Sequence, residues 1–339
     1  MKILITAEMD PKYVEEIKSN WDVDIEGWSK EYRLMTEEEM QKLVPGYDVL
    51  ITSYDEITKK VIDAGKDLKL IICTRANPVN IDIDYAKEKN IKISYAPGRN
   101  SDCTAEFTVA MMMSVGRNIP KAHHELKLGK HTSPKETVKD IKSGLREDVT
   151  WDLSATSPYV IFKGRQLYGN TVGIIGYGNI GRRVGEILKA FGMNILVYSP
   201  SIKEELEGVK KVGLEELLKE SDYITIHSAA IEKNRHLIGK KEFDMMKETA
   251  YFINTSRGML VDEEALIEAL REEKIAGAAV DVYASEPIAI DHPFITELEN
   301  IVITPHLGGA TLEAITNHSK MALSELKAFE NNEPLEYEY

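Results

Sequence analysis

The chain has 339 residues, 43% of them apolar and 29% charged, with a formal charge of −14 from 42 basic and 56 acidic residues. That length suits two domains with cores of their own, and that charge disfavours nucleic acid and anionic membrane as partners. No apolar run approaches the ~20 residues needed to span a bilayer, and the two cysteines, Cys73 and Cys103, form no C-x-x-C and no disulfide framework, so a cytoplasmic location is expected.

The first hundred residues alternate short apolar strands with amphipathic helices. Strands are predicted at Lys2–Thr6, Tyr47–Thr52, Lys69–Cys73 and Ile91–Ala96. Between them, helices are predicted at Pro11–Ser19, from the capping box Thr36-Glu37-Glu38-Glu39 to Val44, and at Thr58–Ala64 and Asp84–Asn90. This alternation predicts a parallel sheet with helices on both faces. A long apolar helix follows, from about Thr104 to Arg117, in which Met111, Met112 and Met113 read as core packing. Residues 129–165 then break the rhythm with mixed Gly, Ser, Thr, Pro and charge. The stretch from Gly129 to Gly164 is predicted to border a cleft or an oligomer interface, or to be a plain surface excursion. Adjacent His123 and His124 diverge on a helix and predict no metal site.

Residues 171–181 carry the strongest local signal. The strand Thr171-Val172-Gly173-Ile174-Ile175 runs into a G-x-G-x-x-G turn made by Gly176, Gly178 and Gly181, and a helix-like stretch continues to Phe191. The first glycine suits a tight turn, the second lets backbone approach a pyrophosphate, and the third lets helix and strand pack closely. The helix N-terminus adds free N–H groups and a positive dipole end. Because some 170 residues precede it, this dinucleotide-binding unit is predicted to be embedded within another domain. Strands are then predicted at Asn194–Tyr198, Tyr223–His227, Ala250–Asn254, Ala278–Val282 and Ile301–Thr304. Helices are predicted at Leu214–Lys219, Lys240–Met246, Asp262 to Glu273, and Thr311 to Glu330.

Three of these strands end in polar residues: Asn254-Thr255-Ser256-Arg257-Gly258, Asp281-Val282-Tyr283-Ala284-Ser285-Glu286-Pro287, and Thr304-Pro305-His306-Leu307-Gly308-Gly309. Ligands of open α/β sheets collect beyond the carboxyl ends of strands. Arg257, Glu286 and His306 are therefore predicted to converge beside a bound nicotinamide. An arginine fork suits a carboxylate, and a histidine paired with a carboxylate suits proton transfer near neutral pH. The alternatives are a surface ion pair, a solvated glutamate before proline, and a histidine at a strand end.

Taken together, Thr-Ser-Arg-Gly, Asp-Val-Tyr-x-x-Glu-Pro and Pro-His-x-Gly-Gly in this order resemble the D-isomer-specific 2-hydroxyacid dehydrogenases, most of all the phosphoglycerate dehydrogenase branch. Upstream, Arg75-Ala76-Asn77-Pro78-Val79-Asn80 resembles the family's substrate-carboxylate loop, and Asn100 through Ala105-Glu106 resembles the start of its interdomain helix. The resemblance implies an α/β fold of two Rossmann/flavodoxin-like parallel-sheet domains with a cleft between them. Residues 1–118 and 308–339 would form a flavodoxin-like substrate domain and 119–307 an NAD(P)-binding Rossmann domain. The expected assembly is a homodimer.

The resemblance also implies roles. Arg257 would hold the carboxylate and polarise the carbonyl of a small anionic 2-keto or (R)-2-hydroxy acid. His306 would be the acid/base, and Glu286 would orient it and favour its protonated form. The cofactor set is Gly176, Gly178, Asn179, Ile180, Gly181, Ser199, Thr255, Asp281, His306 and Gly308, with Thr255 and Asp281 near the nicotinamide ribose and carboxamide. Ala76 and Asn77 would bind the substrate carboxylate through backbone, with Arg75 a candidate for a second anionic group. NAD-preferring members have an acidic residue at the strand end where Tyr198-Ser199-Pro200 stands, so the expected cofactor is NAD or NADP, and Ser201 or Lys203 can help bind the latter. Formate dehydrogenases share this fold but have Gln where Glu286 stands. A redox-sensing corepressor on the same fold is the competing class; the end of the chain at Tyr339, without an added tail, favours the enzyme and argues against a serine-sensing domain.

Overall fold

The computed structural model of the chain describes residues 1–132, 155–203 and 207–339. Residues 133–154 of the expected excursion, Trp151 among them, lie outside the described residues. Two compact units are formed, Met1–Cys103 with Gly309–Tyr339, and Thr104–Gly308.

The first unit holds strands β1 (Lys2–Ile5), β2 (Asp22–Ile25), β3 (Val49–Thr52), β4 (Leu70–Cys73) and β5 (Lys92–Ser94). They pair in parallel in the order β2-β1-β3-β4-β5. Strand alternation divides its core into two faces. Ile3, Ile5, Val49, Ile51, Leu70 and Ile72 pack with Val14, Ile17 and, from the C-terminal helix Leu312–Glu330, Leu323 and Leu326. Leu4, Leu50, Ile71 and Cys73 pack on the other side with Met40, Val61 and Ala86. With both faces covered, the central strands need apolar residues at every position, which is why they read as unbroken apolar runs. The helix starts follow local chemistry: Asp10 accepts from the Lys12 N–H at 2.9 Å ahead of Pro11, and Thr36 and Glu39 form the reciprocal capping box.

The second unit holds β6 (Thr171–Ile175), β7 (Asn194–Tyr198), β8 (Lys210–Lys211), β9 (Tyr223–Ile226), β10 (Tyr251–Asn254), β11 (Gly277–Val280) and β12 (Ile301–Ile303). Their order is β12-β11-β10-β9-β6-β7-β8, all parallel. The chain therefore winds outward from β6 in one direction, then from β9 in the other. The crevice at that reversal is where such sheets take ligands.

The helix Ser101–Gly116 carries Ala105, Val109, Met111, Met112 and Val115 into the second unit's core, with Val172, Ile174 and Tyr223. For that reason the division falls at Cys103/Thr104, where the sequence placed it after residue 118. Among the described residues no helix is long and apolar enough to cross a membrane.

Candidate active site

The glycine turn after β6 has the shape a diphosphate needs. Gly176 has φ of 90°, and a Cβ there would meet the Ser228 nitrogen at 2.5 Å and the His227 carbonyl carbon at 2.6 Å. A Cβ on Gly181 would strike the Gly176 carbonyl oxygen, so helix and turn pack without a side chain between them. A Cβ on Gly178 would meet nothing within 4 Å. That open side lies at the start of the helix Asn179–Ala190, which no side chain caps. The N–H groups of Asn179 and Ile180 thus face a space that an anion fits. His227, which the sequence did not single out, follows β9, and its backbone packs against this turn. Its Nε2 lies 3.0 Å from the Thr225 hydroxyl, its Nδ1 is buried without a partner, and burial pushes it down to about 4.

At the end of β7, Ser199 is buried and its hydroxyl lies 3.1 Å from that of Ser201. A pocket of about 410 Å³ opens beside it, lined by Tyr177, Arg182, Ser201, Ile202 and Lys203. The Arg182 guanidinium stands 5.2 Å over the Tyr177 ring. Ser201 and Lys203 line the pocket, and Ser199 is not among its described lining residues.

The three chemistry-bearing loops follow three neighbouring strands, β10, β11 and β12. After β10, the Asn254 side chain clamps the turn: its Oδ1 accepts from the Ser256 N–H at 3.0 Å and its Nδ2 donates to the Arg257 carbonyl at 3.1 Å. Arg257 itself is exposed, donates to the Ser256 carbonyl at 2.7 Å, and makes no ion pair among the described residues. A Cβ on Gly258 would collide with the Tyr283 carbonyl, so only glycine lets this turn lie against the loop after β11. Thr255 is buried, with its hydroxyl 2.6 Å from that of Thr108, whose own proton goes to the Thr104 carbonyl at 2.7 Å.

After β11, Glu286 accepts from the Tyr283 N–H at 3.2 Å with one oxygen and meets His306 Nδ1 at 2.5 Å with the other. After β12, His306 takes a left-handed backbone, φ 58°, with its N–H on the Asp281 carbonyl at 2.9 Å. The Asp281 carboxylate is the anchor of that loop. It is buried and accepts from the Thr304 hydroxyl at 2.6 Å and from the Leu307 and Gly308 N–H groups at 2.8 Å each. Both its oxygens are used to hold the segment around His306, where the sequence placed this residue beside the cofactor. With Nδ1 committed to Glu286, His306 keeps Nε2 for a reacting group.

The other predicted substrate residues lie in the first unit, just beyond β4. Ala76 and Asn77 are exposed. The Arg75 carbonyl accepts from the Ala96 N–H at 2.9 Å, and its guanidinium lies 5.2 Å from the Tyr54 ring centre.

Residues 109–308 match the NAD binding domain of the D-isomer specific 2-hydroxyacid dehydrogenases. A Staphylococcus aureus (strain USA300) protein named as a 2-hydroxyacid dehydrogenase is 40% identical over 282 residues, 82% of this chain and 81% of its own. Among solved structures, the apo form of D-lactate dehydrogenase from Escherichia coli is 28% identical with a TM-score of 0.78, covering 100% of this chain and 99% of that one. An acyclic imino acid reductase in complex with NADPH and D-Arg is 26% identical with a TM-score of 0.80, covering 100% of both chains. The chain therefore belongs to the D-isomer specific 2-hydroxyacid dehydrogenase family, with its second unit as the family's nicotinamide-dinucleotide-binding oxidoreductase domain.

Proposed function

We propose that the protein reduces a 2-keto acid to the (R)-2-hydroxy acid, and runs the reverse oxidation, through Arg257, Glu286 and His306. The observation that carries this reading is the 2.5 Å contact between His306 Nδ1 and Glu286, built on strand ends adjoining the one that carries Arg257. NAD or NADP supplies the hydride in reduction and accepts it in oxidation. The chain's own residues do the rest. Protonated His306 gives its Nε2 proton to the carbonyl oxygen as the C–O bond gains negative charge, and takes it back in the reverse direction. Glu286 keeps the ring in one orientation and offsets the imidazolium charge. Arg257 pairs with the substrate carboxylate and draws charge onto the carbonyl oxygen.

The pocket beside Ser199 supports acceptance of NADP as well as NAD. Arg182 and Lys203 line it, and among the described residues that line it there is no carboxylate to repel a 2′-phosphate. The test is a panel of 2-keto acids with NADH and with NADPH, followed by loss of the reduced nicotinamide and chiral analysis of the product. Turnover to the (R)-acid supports the reading. Failure of every keto acid with both cofactors, or an (S)-product, overturns it.

A further inference from the structure

His306 and Glu286 stand open to solvent, with 43% and 35% of their side chains exposed, so packing alone does not hold them. Glu286 rides on the loop that follows β11 and runs to His292, and that loop has little backbone order of its own. Among the described residues, no N–H from Tyr283 to Asp291 donates to a backbone carbonyl. Side chains hold it instead, and one carboxylate reaches both sides of it.

That carboxylate is Glu263. It opens the helix Glu263–Arg271, directly after the cap Asp262, and Leu266, Ile267 and Leu270 fix the helix in the core. One Glu263 oxygen accepts from the Ala284 N–H at 3.0 Å, two residues before Glu286. The other meets His292 Nε2 at 3.2 Å, six residues after it. His292 is fixed in turn. Its Nδ1 accepts from the Phe294 N–H at 3.2 Å, capping the turn Pro293–Thr296, and Phe294 is buried in the same core. A backbone N–H can only donate, so Nδ1 is bare and the ring proton sits on Nε2, facing the carboxylate. Glu263 and His292 are 20% and 17% exposed, so this contact is better sheltered than the pair it stands behind.

The path from the Ala284 link to Glu286 is short. Ala284 adjoins Tyr283, whose N–H donates to Glu286 at 3.2 Å. The Tyr283 hydroxyl donates to the Thr304 carbonyl at 2.8 Å, and Thr304 stands two residues before His306. Releasing Ala284 therefore frees the peptide that orients the Glu286 carboxylate.

We propose that Glu263 and His292 are positioning residues: their contact clips the loop at Ala284 and at His292, and so sets where Glu286 meets His306. The proposal rests on the reading of Glu286 and His306 as the acid–base pair.

The experiment joins amide exchange to rates, on the whole chain. Exchange is followed at Ala284, and kcat and KM are measured for glyoxylate, hydroxypyruvate and pyruvate with NADH and with NADPH. Glu263→Ala removes both links, and alanine suits a helix. Ala284 exchange should rise at least about tenfold, the scale of one charge-assisted hydrogen bond. Displacement of the pair should lower kcat at least about tenfold, with keto-acid KM within about threefold. Glu263→Gln keeps an acceptor for Ala284 but sets an amide N–H against the His292 N–H, so its loss should be smaller; it serves if Glu263→Ala does not fold. His292→Asn keeps the cap and withdraws from Glu263, so it should slow wild type and add nothing in Glu263→Ala. The readout that a merely structural role would not give is dependence on Glu286. In Glu286→Ala, which has no carboxylate left to place, Glu263→Ala should cost less than about twofold more in kcat. Wild-type kcat in Glu263→Ala, beside a slowed Glu286→Ala, would overturn the clip and keep the acid–base reading. An equal loss with and without Glu286 would also overturn the clip, because Glu263 would then act on the fold at large. Wild-type kcat in Glu286→Ala would overturn the acid–base reading itself, and the catalytic role of the clip with it.

Discussion

Asp281→Asn separates an anchor of the catalytic loop from a contact with the cofactor. The substitution keeps shape and removes one acceptor. In the native arrangement one carboxylate oxygen takes the Leu307 N–H and the Thr304 hydroxyl, and the other takes the Gly308 N–H at 2.8 Å. An amide has one oxygen. If that oxygen keeps the first pair, the amide nitrogen faces the Gly308 N–H, donor against donor, at a buried position. One unsatisfied buried N–H costs about 1–3 kcal/mol, and the charge-assisted bonds that remain are weakened. A loss of roughly 3 kcal/mol follows, which in a unit of this size lowers Tm by about 5–10 °C. Because Leu307 adjoins His306, the acid–base ring is displaced as well, and a shift near 1 Å costs on the order of 100-fold in turnover. The assay is thermal unfolding beside kcat and the cofactor KM. The account predicts a lower Tm, a lower kcat and a cofactor KM within about threefold of wild type. An unchanged Tm with a raised cofactor KM would refute the anchoring role and return Asp281 to the cofactor.

Three further predictions follow from the same geometry. Arg257→Ala should lower kcat/KM by several kcal/mol of transition-state binding, on the order of a lost charge pair; Arg257→Lys should not restore it, because an ammonium cannot fork, and wild-type rates in the Ala variant would remove Arg257 from the site. Glu286→Gln keeps a hydrogen bond to His306 Nδ1 but removes the negative charge opposite the imidazolium, so kcat for keto-acid reduction should fall at least about tenfold; a kcat at the wild-type rate would break the pair. His318 is held neutral down to about 4 in the folded chain, against about 6.5 unfolded. Since the unfolded chain then binds more protons between those values, stability should be level above about pH 6.5 and fall as pH drops toward 4. In His318→Gln that slope should flatten by roughly 1 kcal/mol per pH unit, with His227 contributing the same sign of dependence in both proteins; identical slopes would show that His318 is not neutral in the fold.

The parts of this molecule legible in the sequence are those fixed by local chemistry and chain order. Strands β3, β4 and β9 are buried along their whole length and appear as apolar runs. The turn at Gly176–Gly181 follows from spacing, and Gly178 has the open side that spacing predicts. Arg257, Glu286 and His306 were legible as strand-end residues because successive parallel strands with helical crossovers deliver their carboxyl ends to one edge. What was not legible depends on long-range contact. Strand β2 reads Asp-Val-Asp-Ile, a half-exposed edge strand whose pairing with Lys2–Ile5 supplies the order its sequence lacks. The helix Ile119–Lys127, read in the sequence only from His123 and His124, buries none of its residues, so no core contact fixes its bounds. Asp281 carries a family-like motif, yet its oxygens are taken by N–H groups 26 and 27 residues on. Arg99 and His318 are 219 residues apart, and no single-chain pattern pairs them.

The most direct measurement of the central claim is turnover and cofactor affinity in His306→Asn. Asparagine tolerates the left-handed backbone found there, φ 58°, so the change removes the proton donor without straining the loop. The account predicts a dissociation constant for the reduced cofactor within about threefold of wild type. It predicts that keto-acid reduction falls by roughly 100- to 10,000-fold, the range of a lost general acid. Reduction at the wild-type rate would contradict it.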